Sequence, residues 1–313
     1  MQISGGVQLS GGVNLAPGGS GGAGGGGVSF GYASGGDSPA GKDIIDKFPF
    51  ASDGNASDVG DLTVGREYVT GQSSSVSGYS SGGAPQSVNS VIDKFSFSAD
   101  GNATDVGDLT QGRHSPAGSS SSDNGYSAGG SAYPIVSNVI DKFPFASDDN
   151  ATDVGDLILQ RMFTGGGQSS ATNGYISGGQ SGPTTIVNNI EKYPFSSDTN
   201  ASDVGDLSVS KTHVSGQSSA DNGYVSGGAT PAQVTNIDKF SFASDGNGSD
   251  VGDLSVSKSH ASGQSSADNG YASGGYTGTR VTAIDKFPFA SDGNASDVGD
   301  LTATRISFAG HQG

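Results

Sequence analysis

IDKFPFASDGNASDVGDL, from Ile284 to Leu301, is the clearest of six copies of one phrase, and the spacing of those copies decides the fold. The others start at Ile45, Ile92, Ile140, Ile190 and Ile237, with edits such as IEKYPF at Ile190. Each follows a second phrase, GYxSGG (GYSAGG once), whose tyrosines are Tyr32, Tyr79, Tyr126, Tyr175, Tyr224 and Tyr271. The tyrosines are separated by 47, 47, 49, 49 and 47 residues. A fixed step of this size marks a propeller, a solenoid or an array.

The phase of the repeat separates these. A full unit from Leu254 reads LSVSKSHASGQSSADNGYASGG and then the long phrase. The last copy of that opening, LTATRISFAGHQG from Leu301, reaches Gly313 without the SSADNGY that follows elsewhere, and the first copy, GGVSFGYASGG, lacks the opening. An open solenoid would be left with two broken ends to cap. In a ring the two halves complete one sheet. The expected fold is therefore all-β: a six-bladed β-propeller of four-stranded blades over residues 28–313, closed by pairing the N- and C-terminal strands in one blade.

Within a unit, strand A lies around GQSS, small and polar as a crowded, solvated channel requires. Strand B ends at the double glycine. Strand C carries the β-branched and aromatic residues that favour strands, and the prolines Pro49, Pro144, Pro194 and Pro288 should end its ladder. Strand D, near DVGDL, is the weak outer strand.

Residues 1–15 read differently. Ile3, Val7, Leu9, Val13 and Leu15 all fall on odd positions, the period of a one-faced extended strand. Such a strand suits addition to another protein's sheet and marks 1–15 as an anchor, with a plain tail as the alternative. Residues 16–27, APGGSGGAGGGG, form a flexible Gly-rich tether.

Bulk properties exclude several classes. A net charge of −17, from 31 acidic against 14 basic residues, argues against nucleic acid as a partner. There is no cysteine, hence no disulfide framework or thiolate metal site. No apolar run approaches the 18 residues of a membrane span, so no membrane insertion is expected. The N-terminus lacks the basic and apolar regions of a secretory signal.

Few motifs point to chemistry. Asp53, Asn55 and Ser57 alternate like the opening of a calcium loop, yet Asp58 stands where its glycine belongs and no glutamate closes it. A C–D hairpin using Asx turns explains the same residues without metal, so no cofactor is expected, Ca2+ being the one weak candidate. The turn also makes six Asn-x-Ser/Thr sequons, from Asn55 to Asn294. The Asp-Lys pairs of strand C and the basic residue before strand A would form a belt of ion pairs between blades; exposed pairs are worth little, so they read as register markers. His114, His213, His260 and His311 read as solvated surface. Six near-identical units argue against a single catalytic site, and the chain is read as a non-enzyme. The B–C connections differ between units, and Lys42, Tyr133, Tyr276 and Arg280 lie there. They form a candidate binding rim for a glycan or protein.

The double glycine at Gly227-Gly228, the aromatic Phe240 and the basic Lys258 together resemble the kelch propeller repeat, although the chain has no tryptophan where kelch units carry one. The phrases NVIDKFPF, DGNATDVGDLT and GQSS…GYxSGG are also similar to those of repeat proteins encoded by tailed bacteriophages of marine bacteria. That resemblance implies a virion structural protein, assembled in the host cytoplasm and held to other virion proteins through its N-terminal segment. Its role would be to display the propeller as a head decoration, fibre or tail appendage, for attachment to a host-surface glycan or protein. The contrasting expectation is a secreted bacterial carbohydrate-binding or carbohydrate-active propeller.

Overall fold

Glycine, tyrosine and phenylalanine set the pairing inside each unit. Strand B of the first blade, Phe30–Ser34, pairs antiparallel with strand C, Ile44–Pro49, placing Gly31 opposite Phe48. The Phe48 ring lies across Gly31, and a Cβ there would sit 2.4 Å from its Cζ. The same contact recurs from Gly78 on Phe95 to Gly270 on Phe287, so the first glycine of GYxSGG is room for an aromatic ring.

The computed structural model describes residues 29–37, 40–84, 89–132, 135–164 and 167–313. The anchor and tether expected over residues 1–27 lie outside these. The described residues form a six-bladed β-propeller of four-stranded antiparallel sheets. In the second blade, strands A to D are Thr70–Ser73, Ser77–Ser81, Val91–Ser96 and Thr104–Asp108. Strand C ends at proline in the four blades that carry one there, as expected. Strand D has no buried residue and is shifted in register by a bulge, at Ile92/Asp93 in the second blade.

The first blade takes its strand A from the far end of the chain. Ala309–Gln312 pairs with Phe30–Ser34, aligning Tyr32 with His311 and Ala33 with Gly310. The expected closure is present. Ser29 N and Phe30 N donate to Gly313 O at 2.8 and 2.9 Å, and Gly313 N returns a bond to Phe30 O.

Blades adhere through apolar layers that repeat around the wheel. Tyr32 stacks on Phe97 of the next blade with ring centroids 4.9 Å apart. Tyr79, Tyr126, Tyr175 and Tyr224 do the same one blade on, and Tyr271 of the sixth blade stacks on Phe50 of the first at 4.6 Å. Each layer adds a buried Ile and Leu, such as Ile45 and Leu62. An offset aromatic pair contributes about 0.5–1.5 kcal/mol beyond its area.

The axis departs from expectation. Strands A are buried and touch one another, so among the described residues no open solvated channel runs through the wheel. A Cβ on Gly118 would lie 2.2 Å from Gly71 O, and one on Gly263 would lie 2.0 Å from Gly216 O. Only a void of about 20 Å³ remains there. A ring of side-chain bonds surrounds it: Ser73 N to Ser120 Oγ, Ser120 N to Ser169 Oγ, Ser169 N to Ser218 Oγ and Ser218 N to Ser265 Oγ. Ser265 N then donates to Gln312 Oε1, and Gln312 N donates back to Ser73 Oγ at 3.2 Å. The circle is complete, with the C-terminal strand as its sixth member.

Candidate functional site

Two belts of ion pairs join the blades, and they differ in burial. In the inner belt the basic residue before strand A meets the strand C acid of the following blade: Arg66–Asp93, Arg113–Asp141, Arg161–Glu191, Lys211–Asp238, Lys258–Asp285 and Arg305–Asp46. Every one of these side chains is wholly buried, which corrects the expectation of exposed pairs. Burial lowers the pKa of each cation, and the facing acid opposes that. The acid also accepts from the turn preceding it, as Asp46 does from Thr302 N and Oγ1 at 3.0 and 2.6 Å.

The outer belt explains the calcium-like turn. Asp53 Oδ1 accepts from Lys286 Nζ at 2.9 Å, and Asn55 Oδ1 accepts from Asp300 N at 3.1 Å. Equivalent pairs run from Lys47–Asp100 to Lys239–Asp292, and Asn102, Asn150, Asn200, Asn247 and Asn294 repeat the amide contact. Asp53 and Asn55 thus clasp the preceding blade, while Ser57 Oγ makes only a 3.5 Å contact to Lys47 O. Among the described residues no group of three or more His, Cys, Asp or Glu is placed to hold a metal.

The two faces of the wheel are not alike. The A–B and C–D turns share one face, where the chain enters at Ser29 beside Gly313. The B–C and D–A connections share the other. Here Gly36 N donates to Arg66 O at 2.8 Å, and Lys42 bonds through its backbone to Gly36 O and Arg66 N. The rim candidates scatter over this face. Tyr276 and Arg280 come together in one bridged turn, and Arg280 reaches across to an ion pair with Asp37 of the first blade. Lys42 stands half-buried in the first blade, and Tyr133 lies outside the described residues.

At the centre of this face lies a socket that sequence reading missed. It is lined by Tyr68, Ser115, Phe163, His213, His260 and Ser307, one residue per blade, each two positions after the buried cation. All six have positive φ, between 54° and 58°, although none is glycine. Non-glycine residues there cost of order 1 kcal/mol or more each. An open run of five backbone bonds links the six and holds the conformation: Ser115 N donates to Tyr68 O, Tyr68 N to Ser307 O, Ser307 N to His260 O, His260 N to His213 O and His213 N to Phe163 O.

The histidines here are packed rather than freely solvated, His114, His213 and His260 all being half-buried. His213 stacks between His260 and Phe163, with centroids 3.7 and 4.4 Å away. Burial, with His260 beside it, pushes the His213 pKa down to about 3, and burial takes His260 to about 4. His114 bonds Ser115 Oγ through Nδ1 and leans towards Tyr68 and Phe163. His311 lies elsewhere, wholly buried in the closing strand where four other blades carry Gln. Its Nε2 meets Ser34 Oγ and Ser80 Oγ at 2.8 and 3.2 Å, and Nδ1 meets Gln72 O at 3.1 Å. The signal for the socket was present: counted from the preceding cation, His213 and His260 hold the same place in the repeat.

No family model matches this chain, and no curated protein matches its sequence.

Proposed function

We propose that the chain is a non-enzymatic structural protein of a tailed-phage virion that displays a propeller for attachment to the host surface. The observation that carries the reading is the separation of the two faces. The chain enters the wheel at Ser29 on the A–B face, and Gly313 lies beside it. The positions that differ from blade to blade, in the B–C connections and around the axial socket, lie on the opposite face. A wheel held by the segment before Ser29 presents its varied face outward. Twelve inter-blade ion pairs in two belts give it the rigidity a display platform uses. The repeat phrases shared with marine-phage proteins support the virion setting, and residues 1–15 and 16–27 would serve as anchor and tether.

Two measurements test this. Peptides of the chain should appear in purified virions by mass spectrometry, and the purified protein should compete with virions for adsorption to host cells. Absence from virions, with glycan turnover by the isolated protein, would replace this reading with a secreted carbohydrate-active propeller.

A further inference from the structure

One joint of the inner belt differs from the other five. At every joint the buried cation donates to the backbone carbonyl of the first residue of strand C: Arg66 to Val91, Arg113 to Val139, Arg161 to Asn189, Lys211 to Asn236, Lys258 to Ala283 and Arg305 to Ile44. Only Lys211 sets a lysine against a side-chain amide. Lys258 faces alanine, and Asn189 faces Arg161, whose guanidinium stays charged and is no nucleophile.

The geometry at this joint is that of a reactive triad. Lys211 Nζ, wholly buried, lies 2.9 Å from Asp238 Oδ2 and 3.5 Å from Asn236 Oδ1. Val225 O and Asn236 O accept two of its protons, at 3.1 and 3.3 Å. Loss of the third to Asp238 leaves the lone pair on the side of the carboxylate and the amide. Asp238 Oδ2 also accepts from Asn236 Nδ2 at 3.3 Å, so one oxygen touches both the amine and the amide nitrogen. Burial lowers the Lys211 pKa, while Asp238 and Asp250 oppose that, and a desolvated lysine amine is an activated nucleophile. The amide carbon is one C=O bond of about 1.23 Å beyond Oδ1. A small side-chain rotation brings it to the attack distance of about 3–3.5 Å. Asn236 is half-buried and borders an open cleft with Ser208, Val234 and Asp253, which gives a leaving group its exit.

We propose that Lys211 and Asn236 join in an isopeptide bond that the chain forms by itself, with Asp238 carrying the protons. The Nζ lone pair bonds to Cγ of Asn236 as the C=O pair moves onto Oδ1. Asp238 passes a proton from Nζ to Nδ2, and return of the Oδ1 pair breaks the Cγ–Nδ2 bond and expels ammonia. Of the three protons on the Lys211 ammonium, one stays on the new amide, one reaches Nδ2 and one leaves with the ammonia as ammonium. Asp238 ends as it began, a carboxylate. It keeps Ser208 N as a donor at 3.3 Å and gains the new amide N–H. The bond ties the connection entering the fifth blade to strand C of that blade, across 25 residues.

The test is mass spectrometry of the full chain after incubation at neutral pH, beside Lys211→Arg and Asn236→Val. Each variant copies what the second blade carries at that place, Arg66 and Val91. The wild type should be one ammonia lighter than its composition, and both variants should keep their full mass. Protease digestion of the wild type should give one branched peptide joining the segments that hold Lys211 and Asn236.

A wild type at full mass would overturn the proposal. So would an ammonia loss shared by K211R, which is succinimide formation at an asparagine, or a branch mapped to any other pair. Should a variant fail to fold by circular dichroism, the branched peptide of the wild type decides: its presence supports the bond and its absence overturns it.

Discussion

Asp46→Ala strikes the inner belt at the seam where the two ends of the wheel meet. The carboxylate is wholly buried and accepts from Arg305 Nη2 at 2.6 Å, from Thr302 N at 3.0 Å and from Thr302 Oγ1 at 2.6 Å. Removing it leaves a guanidinium with no exposed surface and no paired carboxylate, only the more distant Asp58, a change that typically costs about 3–5 kcal/mol. Arg305 retains bonds to Ala33 O, Gly35 O and Ile44 O, all at 3.1 Å, which places that part near the lower limit. The orphaned Thr302 N adds about 1 kcal/mol. The expected loss is about 4 kcal/mol, read as a fall in the urea midpoint. Far-UV circular dichroism and tyrosine fluorescence are the probes, since the chain has no tryptophan. Asp46→Ala with Arg305→Met removes both charges and should recover most of the loss. A single-variant cost below about 1 kcal/mol, the range of an exposed pair, refutes the reasoning, as does a double variant no better than the single.

Three further outcomes follow. Asp53→Ala removes an outer-belt pair whose carboxylate is more than half exposed, and should cost less than about 1 kcal/mol in the same urea titration; a loss like that of Asp46→Ala contradicts the division into two belts. His311, with its pKa pushed down to about 4 by burial, takes up a proton more readily unfolded than folded. Its contribution is complete above about pH 6.5 and is lost as pH falls towards 4, to a limit of about 3 kcal/mol. His311→Gln, the residue of four other blades, should flatten the stability–pH curve in that window, and an unchanged slope contradicts the assignment. Gly118→Ala places a methyl 2.2 Å from Gly71 O and should abolish soluble folded protein or lower the melting temperature sharply, whereas Gly54→Ala, with open space around it, should express and melt like the wild type.

Most of the architecture was legible because the repeat is explicit. The constant step of the tyrosines defines the blades, and the broken phase between Leu301 and Tyr32 fixes which strand closes the circle. The prolines after Phe48, Phe143, Tyr193 and Phe287 coincide with the end of strand C, although Ser96 and Ser241 end it at the same place in the two blades that lack one. Burial between blades was not legible. Arg66 and Asp93 lie 27 residues apart and look like surface charges in sequence; only the packing of adjacent sheets removes both from water. Asp53 and Asn55 likewise resemble a cation loop, because the neighbouring blade that supplies Lys286 and Asp300 N is invisible in a local reading. The socket was hidden for another reason. Tyr68, Ser115, Phe163, His213, His260 and Ser307 share no chemistry, and it is their common backbone conformation that makes them one site.

Amide hydrogen exchange at Gly310 and His311 tests the closed wheel most directly. The last few residues of a chain ordinarily exchange fast because they fray. Closure instead predicts protection matching that of Gly216 and Gln217 in the fifth blade. Exchange at the rate of an unstructured chain, with Gly216 and Gln217 still protected, would contradict it.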